Sequence, residues 1–525
     1  MDSFKITKLK KYKKRIIYGA GDYARRLLQT LKNYGIAVDY CVVTDKKENP
    51  DFLEDIPVCR INTCYADMQR EDTVILIGVS SIYEKEIINM LLGYNIYNYL
   101  IIDDLYRNNS VTLNDYKNKT VQDCMEEIVE WYLDSDDNGF ENYDQVMTRM
   151  KSLLRKEQKT REKIIFAVGD LSPRVIKIAK ALSEKEYEIK VYICPGALIR
   201  QVCSSELQEL NIFCHVCEYV EEIMYYMIVE KPWVIHIFSG WGDSISTYFL
   251  VKMKELFPKI VYDKYDIFNG MYAYISAELL EAERYCLENA DGICNRGYEL
   301  EYLMNETNYN IKGKTIQFLD YCKDGSVDYV YRDEKEPLTL CYAGSIQTEK
   351  SHPDSSVACW LSLAEMCEKN KCHLHIYPMT WDKKTFAEYM ELDSVNKFFH
   401  FHKPVPYMQI EKELSQYDYM VHPIRAGFLS KEINGIYYRR KGIYGCSNKF
   451  FDSLDAGLPI IGISMTKFTK FLEERGVCIR WAIEEYDFNL LKEKRNELRK
   501  KVVLVHKELQ IKEHINELIK FYNSL

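Results

Sequence analysis

The chain has 525 residues, 47% of them apolar and 28% charged, with a formal net charge of −9. That length exceeds what a single hydrophobic core supports, so about two to four domains are expected. The composition excludes a disordered chain, and the acidic balance leaves no electrostatic footprint for nucleic acid as a partner.

The segment Met1–Arg15 is basic but runs into no apolar stretch, so no secretion signal is expected. No apolar run of about 18 residues marks a membrane span, and a cytoplasmic location follows as the expectation. Lys5, Lys8, Lys10, Lys11, Lys13, Lys14 and Arg15 fit peripheral contact with an anionic inner membrane face. A solvated edge before the first strand is the plainer reading. The 17 cysteines mostly stand singly in apolar stretches, as do Cys41, Cys59, Cys194, Cys341 and Cys478. They read as reduced, buried thiols.

Residues 1–107 alternate strand and helix. Strands are expected at Arg15–Tyr18, Val38–Thr44, Thr73–Val79 and Tyr99–Ile102, with helices at Tyr23–Tyr34 and Glu86–Leu92. This is the pattern of a small doubly wound parallel sheet. Gly19-Ala20-Gly21-Asp22-Tyr23-Ala24 fits a GxGxxA turn between the first strand and its helix. The first glycine serves the tight turn, the second lets backbone approach a pyrophosphate, and the small third residue lets helix pack on strand. Asp22 opens the helix, and Asp45 follows the second strand, where an acid holds a ribose hydroxyl. A tight turn in a domain without ligand is the competing reading. The segment resembles the small Rossmann-like domains of bacterial polysaccharide and sugar-modifying enzymes. That resemblance implies a sugar nucleotide or a nicotinamide cofactor such as NAD, without choosing between them.

Residues 108–162 are polar and helix-prone and read as a helical linker. The sole Asp-x-Asp noted, Asp134–Asp136, falls there and not after a strand. Residues 163–332 form a second α/β unit. Its first strand, Ile164–Val168, leads through Gly169 and Asp170 to Ser172 and Pro173, a helix cap and first-turn proline. Further strands are expected at Glu188–Cys194, Trp233–Phe238 and Lys259–Tyr262, and a helix at Ala277–Ala290. Cys214 and Cys217 form a lone CxxC without a second pair, so a packed strand is expected there and no zinc. Residues 333–500 form a third unit. Its strands are expected at Leu338–Tyr342, His373–Tyr377, Phe398–His402, Tyr419–His422 and Ile460–Ile463. Helices are expected at Tyr407–Leu414 and Asn448–Ala456. Residues 501–525 end the chain in a charged amphipathic helix that packs back on the core. The expected fold is therefore α/β with three Rossmann-like units.

Residues 163–525 resemble family 4 of the GT-B glycosyltransferases. Cys446-Ser-Asn-Lys-Phe-Phe-Asp-Ser-Leu-Asp-Ala-Gly-Leu-Pro-Ile-Ile461 is similar to that family's S-N-K-L-F-E-Y-L-A-A-G-L-P-V-I helix. By this match Ser447, Asn448 and Lys449 face the donor diphosphate at a helix N-terminus, and Asp452 holds the donor ribose. The family's acid is Glu, one methylene longer, and its second Glu falls at Tyr444. Glu432 is a candidate substitute, and Arg439, Arg440 and Lys441 are candidate diphosphate ligands or a solvated turn. Gly344 and Lys350 match the family's first donor-domain loop, where Lys350 would neutralise the leaving diphosphate; the family's Arg is Ser345 here. Val234–Phe238 with His236, Asp263–Asp266, and Glu283 through Ala290 and Asp291 match acceptor-domain segments. Gly169 and Asp170 fall on the acceptor side. His236 is a catalytic candidate or a satisfied core residue, and His422 carries the same alternatives.

The resemblance implies transfer of a sugar from a nucleotide-diphosphate-sugar donor to a glycan, lipid-linked or protein acceptor. It also implies that anomeric configuration is retained and that no metal or other cofactor is required, and the expected role is cell-surface polysaccharide or glycan synthesis. Two other readings stand beside it. One is a sugar-nucleotide-binding protein on a degenerate transferase scaffold, which Tyr444 and Ser345 favour. The other is a nicotinamide-dependent enzyme acting through the N-terminal unit.

Overall fold

The computed structural model describes residues 9–10, 12–33, 35–45, 49–79, 81–101, 113–135, 141–154, 162–198, 207, 209–270, 275–333, 335–348, 359–379, 381–383, 385–423, 440–462 and 466–525. Three mostly parallel sheets carry the chain. The first contains β1 (Lys14–Tyr18), β2 (Tyr40–Val43), β3 (Phe52–Leu53), β4 (Ile56–Arg60), β5 (Thr73–Ile77) and β6 (Tyr99–Ile101), in the order β3-β4-β2-β1-β5-β6. The second contains β7 (Lys163–Asp170), β8 (Glu188–Leu198), β9 (Phe213–Val216), β10 (Val234–Ser239), β11 (Lys259–Lys264), β12 (Gly292–Asn295) and β13 (Lys314–Gln317), ordered β13-β12-β11-β10-β7-β8-β9. The third contains β14 (Thr339–Gly344), β15 (His373–Pro378), β16 (Phe399–Phe401), β17 (Tyr419–Val421), β18 (Ile460–Gly462) and β19 (Cys478–Arg480), ordered β16-β15-β14-β17-β18-β19. Parallel strands need crossovers, and helices supply them. Central strands such as β5 and β10 are buried along their whole length, which is why they read as unbroken apolar runs.

The chain divides into two compact units. One comprises residues 1–171, 190–235 and 239–258; the other comprises residues 172–189, 236–238 and 259–525. In the first unit the segment expected to be a linker is packed. Helix Val121–Asp134 buries Cys124, Met125, Ile128 and Val129. Cys124 meets Met224 of helix Val220–Val229 at 3.4 Å, and Tyr132 stacks on Tyr225 with centroids 4.9 Å apart. Arg149 lies over the Tyr132 ring and reaches Glu141 at 3.0 Å. Apolar residues at helical spacing, set within a polar composition, produce this face.

The second unit holds the third sheet and helices Phe488–Glu508 and Ile511–Ser524. The terminal helix buries Ile515, Leu518, Phe521 and Tyr522, as an amphipathic closing helix should. Among the described residues no helix is long and apolar enough to cross a membrane.

Candidate functional site

The site grows from the start of helix Asn448–Asp455. Ser447 occupies its N-cap in extended conformation (φ −106°, ψ 135°), and its side chain caps none of the helix amides. The first turn holds no acidic residue. The Phe450 N–H closes a turn on the Ser447 carbonyl at 3.1 Å, which leaves the Asn448 and Lys449 amides for an external acceptor, with the positive end of the helix dipole behind them.

Lys449 lies beside this terminus, its stem against Gly344. Gly344 ends β14 with φ +150°, and a Cβ there would sit 2.1 Å from Lys449 Cε. Only glycine fits both the dihedral and the approach. Burial lowers the Lys449 pKa, and nearby Asp452 works against that shift. His422 follows β17 and packs 4.5 Å from the Phe450 ring. Burial and the Lys449 charge push its pKa down to about 3, so the imidazole is neutral. Its Nε2 has no hydrogen-bond partner among the described residues.

Asn448 joins the helix terminus to a buried charge network in the same unit. Its amide donates to Tyr265 Oη at 2.8 Å, and its Oδ1 accepts from Arg296 Nη1 at 3.3 Å. Arg296 stacks on the Tyr265 ring at 3.8 Å, pairs with Asp266 at 2.8 Å and reaches Asp320 at 3.4 Å. Lys441 reaches Asp266 at 3.3 Å. Arg174, in the first turn of helix Pro173–Ser183, donates to Asp263 at 2.8 Å, Asp320 at 3.0 Å and the Leu319 carbonyl at 3.0 Å. Asp263 and Asp266 were legible as a motif. Their partners Arg174 and Arg296 were missed, because a lone arginine carries no sequence signal until the fold supplies its carboxylates. Lys441 sits on the motif's second acid.

The other candidates fall as follows. Asp452 is partly buried, and burial pushes its carboxyl up to about 7, with Lys177 the largest opposing charge. Ser345 is exposed, and its carbonyl accepts from Tyr342 Oη at 2.7 Å. Tyr444 donates its hydroxyl to Glu306, so this phenol is committed within the protein. Glu299 is buried beside Asp266, and burial raises its pKa. Lys350 and Glu432 lie outside the described residues.

His236 is wholly buried, its Nδ1 2.6 Å from Tyr522 Oη and its Nε2 3.3 Å from Asp263 Oδ2. That geometry orients Asp263 toward Arg174 and turns the ring away from solvent. In the first unit, a Cβ at Gly169 would lie 1.9 Å from the carboxyl carbon of Asp243. Asp243 accepts from the Gly240 amide and the Thr247 hydroxyl, both at 2.8 Å. Asp170 adjoins this turn, and a Cβ at Gly240 would lie 2.9 Å from its own Cβ.

The N-terminal motif is also formed. Gly19 has φ +124°, and a Cβ there would strike the Gly78 carbonyl at 2.5 Å, whereas Gly21 faces open space. Ala24 is buried against the backbone of Gly78. Asp45 pairs with Arg60 at 3.1 Å. Asp22 begins helix Asp22–Asn33.

No family model matches the sequence, and no curated protein matches it. Among solved structures the chain is similar to Anabaena HepE in complex with UDP, at 10% identity and TM-score 0.50, over 69% of this chain and 100% of that one. It is also similar to MurG of Acinetobacter baumannii at 13% identity and TM-score 0.36, over 68% of this chain and 99% of that one. For S. aureus MnaA with UDP the figures are 12% identity and TM-score 0.41, over 69% and 97%. At such identities the likeness is one of fold, and the chain has the α/β GT-B fold with Rossmann-like sheets.

Proposed function

We propose that the chain is a glycosyltransferase that binds a nucleoside-diphosphate sugar and passes the sugar to a glycan, lipid-linked or protein acceptor. The observation that carries this reading is the uncapped start of helix Asn448–Asp455 with Lys449 fixed beside it by Gly344. A diphosphate needs hydrogen-bond donors and compensating charge, and this corner offers amides, a helix dipole and an ammonium. Asn448, held by Arg296 and Tyr265, keeps the first turn in place. Asp452 is proposed for the ribose, and Lys350, Ser345 and Glu432 for the loops around the donor. The same charges would stabilise the leaving diphosphate during transfer, so the reaction asks for no metal at this site. HepE was solved with UDP, which makes UDP-sugars the first donors to test.

A second reading has support in one contact. The Tyr444 hydroxyl is spent on Glu306, where the resembling family has an acid, and this favours a scaffold that binds the donor without turning it over. The division into units 1–107, 108–162, 163–332, 333–500 and 501–525 is retained as a proposal, as is a nucleotide or NAD at Gly19–Gly21. The test is UDP release from a panel of UDP-sugars with and without oligosaccharide acceptors. Acceptor-dependent release that Lys449→Ala abolishes is the expected result. Release equal in both proteins refutes the site. Binding without release selects the scaffold reading.

A further inference from the structure

Four of the chain's ten histidines stand together on two neighbouring parallel strands, away from the helix terminus described above. β15 carries His373 and His375; β16 carries His400, and His402 follows its end. The register sets His375 beside His400. Side chains alternate along a strand. Leu374, Ile376, Phe399 and Phe401 enter the core on one face, so the four imidazoles share the other.

The rings are stacked and paired. His373 Nδ1 lies 2.8 Å from His400 Nε2, and His375 Nδ1 lies 2.9 Å from His402 Nε2. The His375 and His400 ring centroids are 4.3 Å apart. A neutral imidazole offers one nitrogen lone pair to a metal ion. One ligand nitrogen from each of His373, His375 and His400 lies within 4.8 Å of the others. Zinc–imidazole bonds of about 2.0–2.1 Å in tetrahedral geometry place ligand nitrogens about 3.3 Å apart. Seating a metal ion between His373 and His400 opens that pair by about 0.5 Å and turns the two nearly coplanar rings out of line, while the His375 nitrogen draws in from no more than 4.8 Å. His373 and His400 are both partly exposed, which gives an ion a way in.

We infer that His373, His375 and His400 form a zinc site, with water as fourth ligand and His402 the positioning residue that orients His375. β16 is the edge strand and only three residues long. Zinc would clamp it to β15 from the face opposite the core, which adds a bond where few backbone hydrogen bonds are available.

The test uses the full chain stripped with a chelator, then titrated with Zn²⁺ and with Co²⁺. One Zn²⁺ per chain and a raised Tm are expected. His373→Gln and His400→Gln should each weaken zinc binding by about 100-fold, and His402→Asn by about 10-fold, with circular dichroism unchanged. The other candidate clusters among the described residues are His215 with Cys217 and Glu222, His236 with Asp263 and Cys294, and Cys322 with Asp455 and His506. Each includes a cysteine. The cobalt adduct of the unaltered chain should therefore show tetrahedral bands without a thiolate charge-transfer band, a readout that stands even if a variant misfolds. Failure to bind zinc, a thiolate band, or undiminished binding in both glutamine variants overturns the proposal.

Discussion

Gly344 and Lys449 occupy one volume, since a methyl group on the first would overlap the side chain of the second. Gly344→Ala should push the ammonium off the helix terminus and weaken UDP binding by at least about 10-fold, the worth of one charge-assisted hydrogen bond; equal affinity by calorimetry would dissociate Lys449 from the donor. Arg174 compensates two buried carboxylates, Asp263 and Asp320. Arg174→Met should cost about 3–5 kcal/mol in urea unfolding, because it leaves buried Asp263 without its arginine and Asp320 with only the longer contact to Arg296. A loss below about 1 kcal/mol would mean that the carboxylates protonate without penalty. Asp452 is held up to about 7 by burial, against about 3.9 in an unfolded chain. Between those values only the folded chain keeps the proton, so the stability it contributes is full below pH ~4 and is lost as pH rises through 7. Asp452→Asn should therefore raise Tm relative to the parent more at pH 8 than at pH 4, and an equal change at both would remove this residue from the titration.

The strands of the three sheets were legible because buried parallel strands are short apolar runs punctuated by glycine, proline and polar loops. β1, β5, β7, β10 and β14 fall within about two residues of expectation. β3, β4 and β13 were not anticipated. β3 has two residues, and β13 (KTIQ) shows little of itself to the core, so neither leaves an apolar signature. The helices of residues 113–154 look polar along the sequence, and their apolar stripe acquires meaning only against helix Val220–Val229. At the site, the helix-start motif and the Asp263–Asp266 pair were readable locally. Arg174, Arg296 and the histidine ladder are long-range assemblies, and only the H-x-H at 373–375 and again at 400–402 hinted at the last. His375 of that ladder and His422 at the end of β17 share a pH prediction. His375 and His422, lowered to about 2 and about 3, bind no proton in the folded chain at pH 5, while unfolded histidines with pKa about 6.5 do. Stability should fall as pH drops below about 6.5, with unfolding taking up about two protons from this pair. A Tm flat from pH 7 to 5, once metal is removed, would contradict the buried neutral state.

For the whole molecule, the GT-B fold defines a scaffold, and chemistry must be argued from the site upon it. The network from Asn448 through Arg296, Asp320 and Arg174 to Asp263 pairs its charges within the protein and not with a nucleotide. The helix terminus and Lys449 are the groups left to meet it. The most direct measurement is calorimetric titration of the full chain and its Lys449→Ala variant with UDP, GDP, dTDP and NAD. One nucleoside diphosphate binding the parent, and binding the variant at least about 10-fold more weakly, is the predicted result. NAD binding alone, or a nucleoside diphosphate bound equally by both proteins, would contradict the placement of the donor at helix Asn448–Asp455.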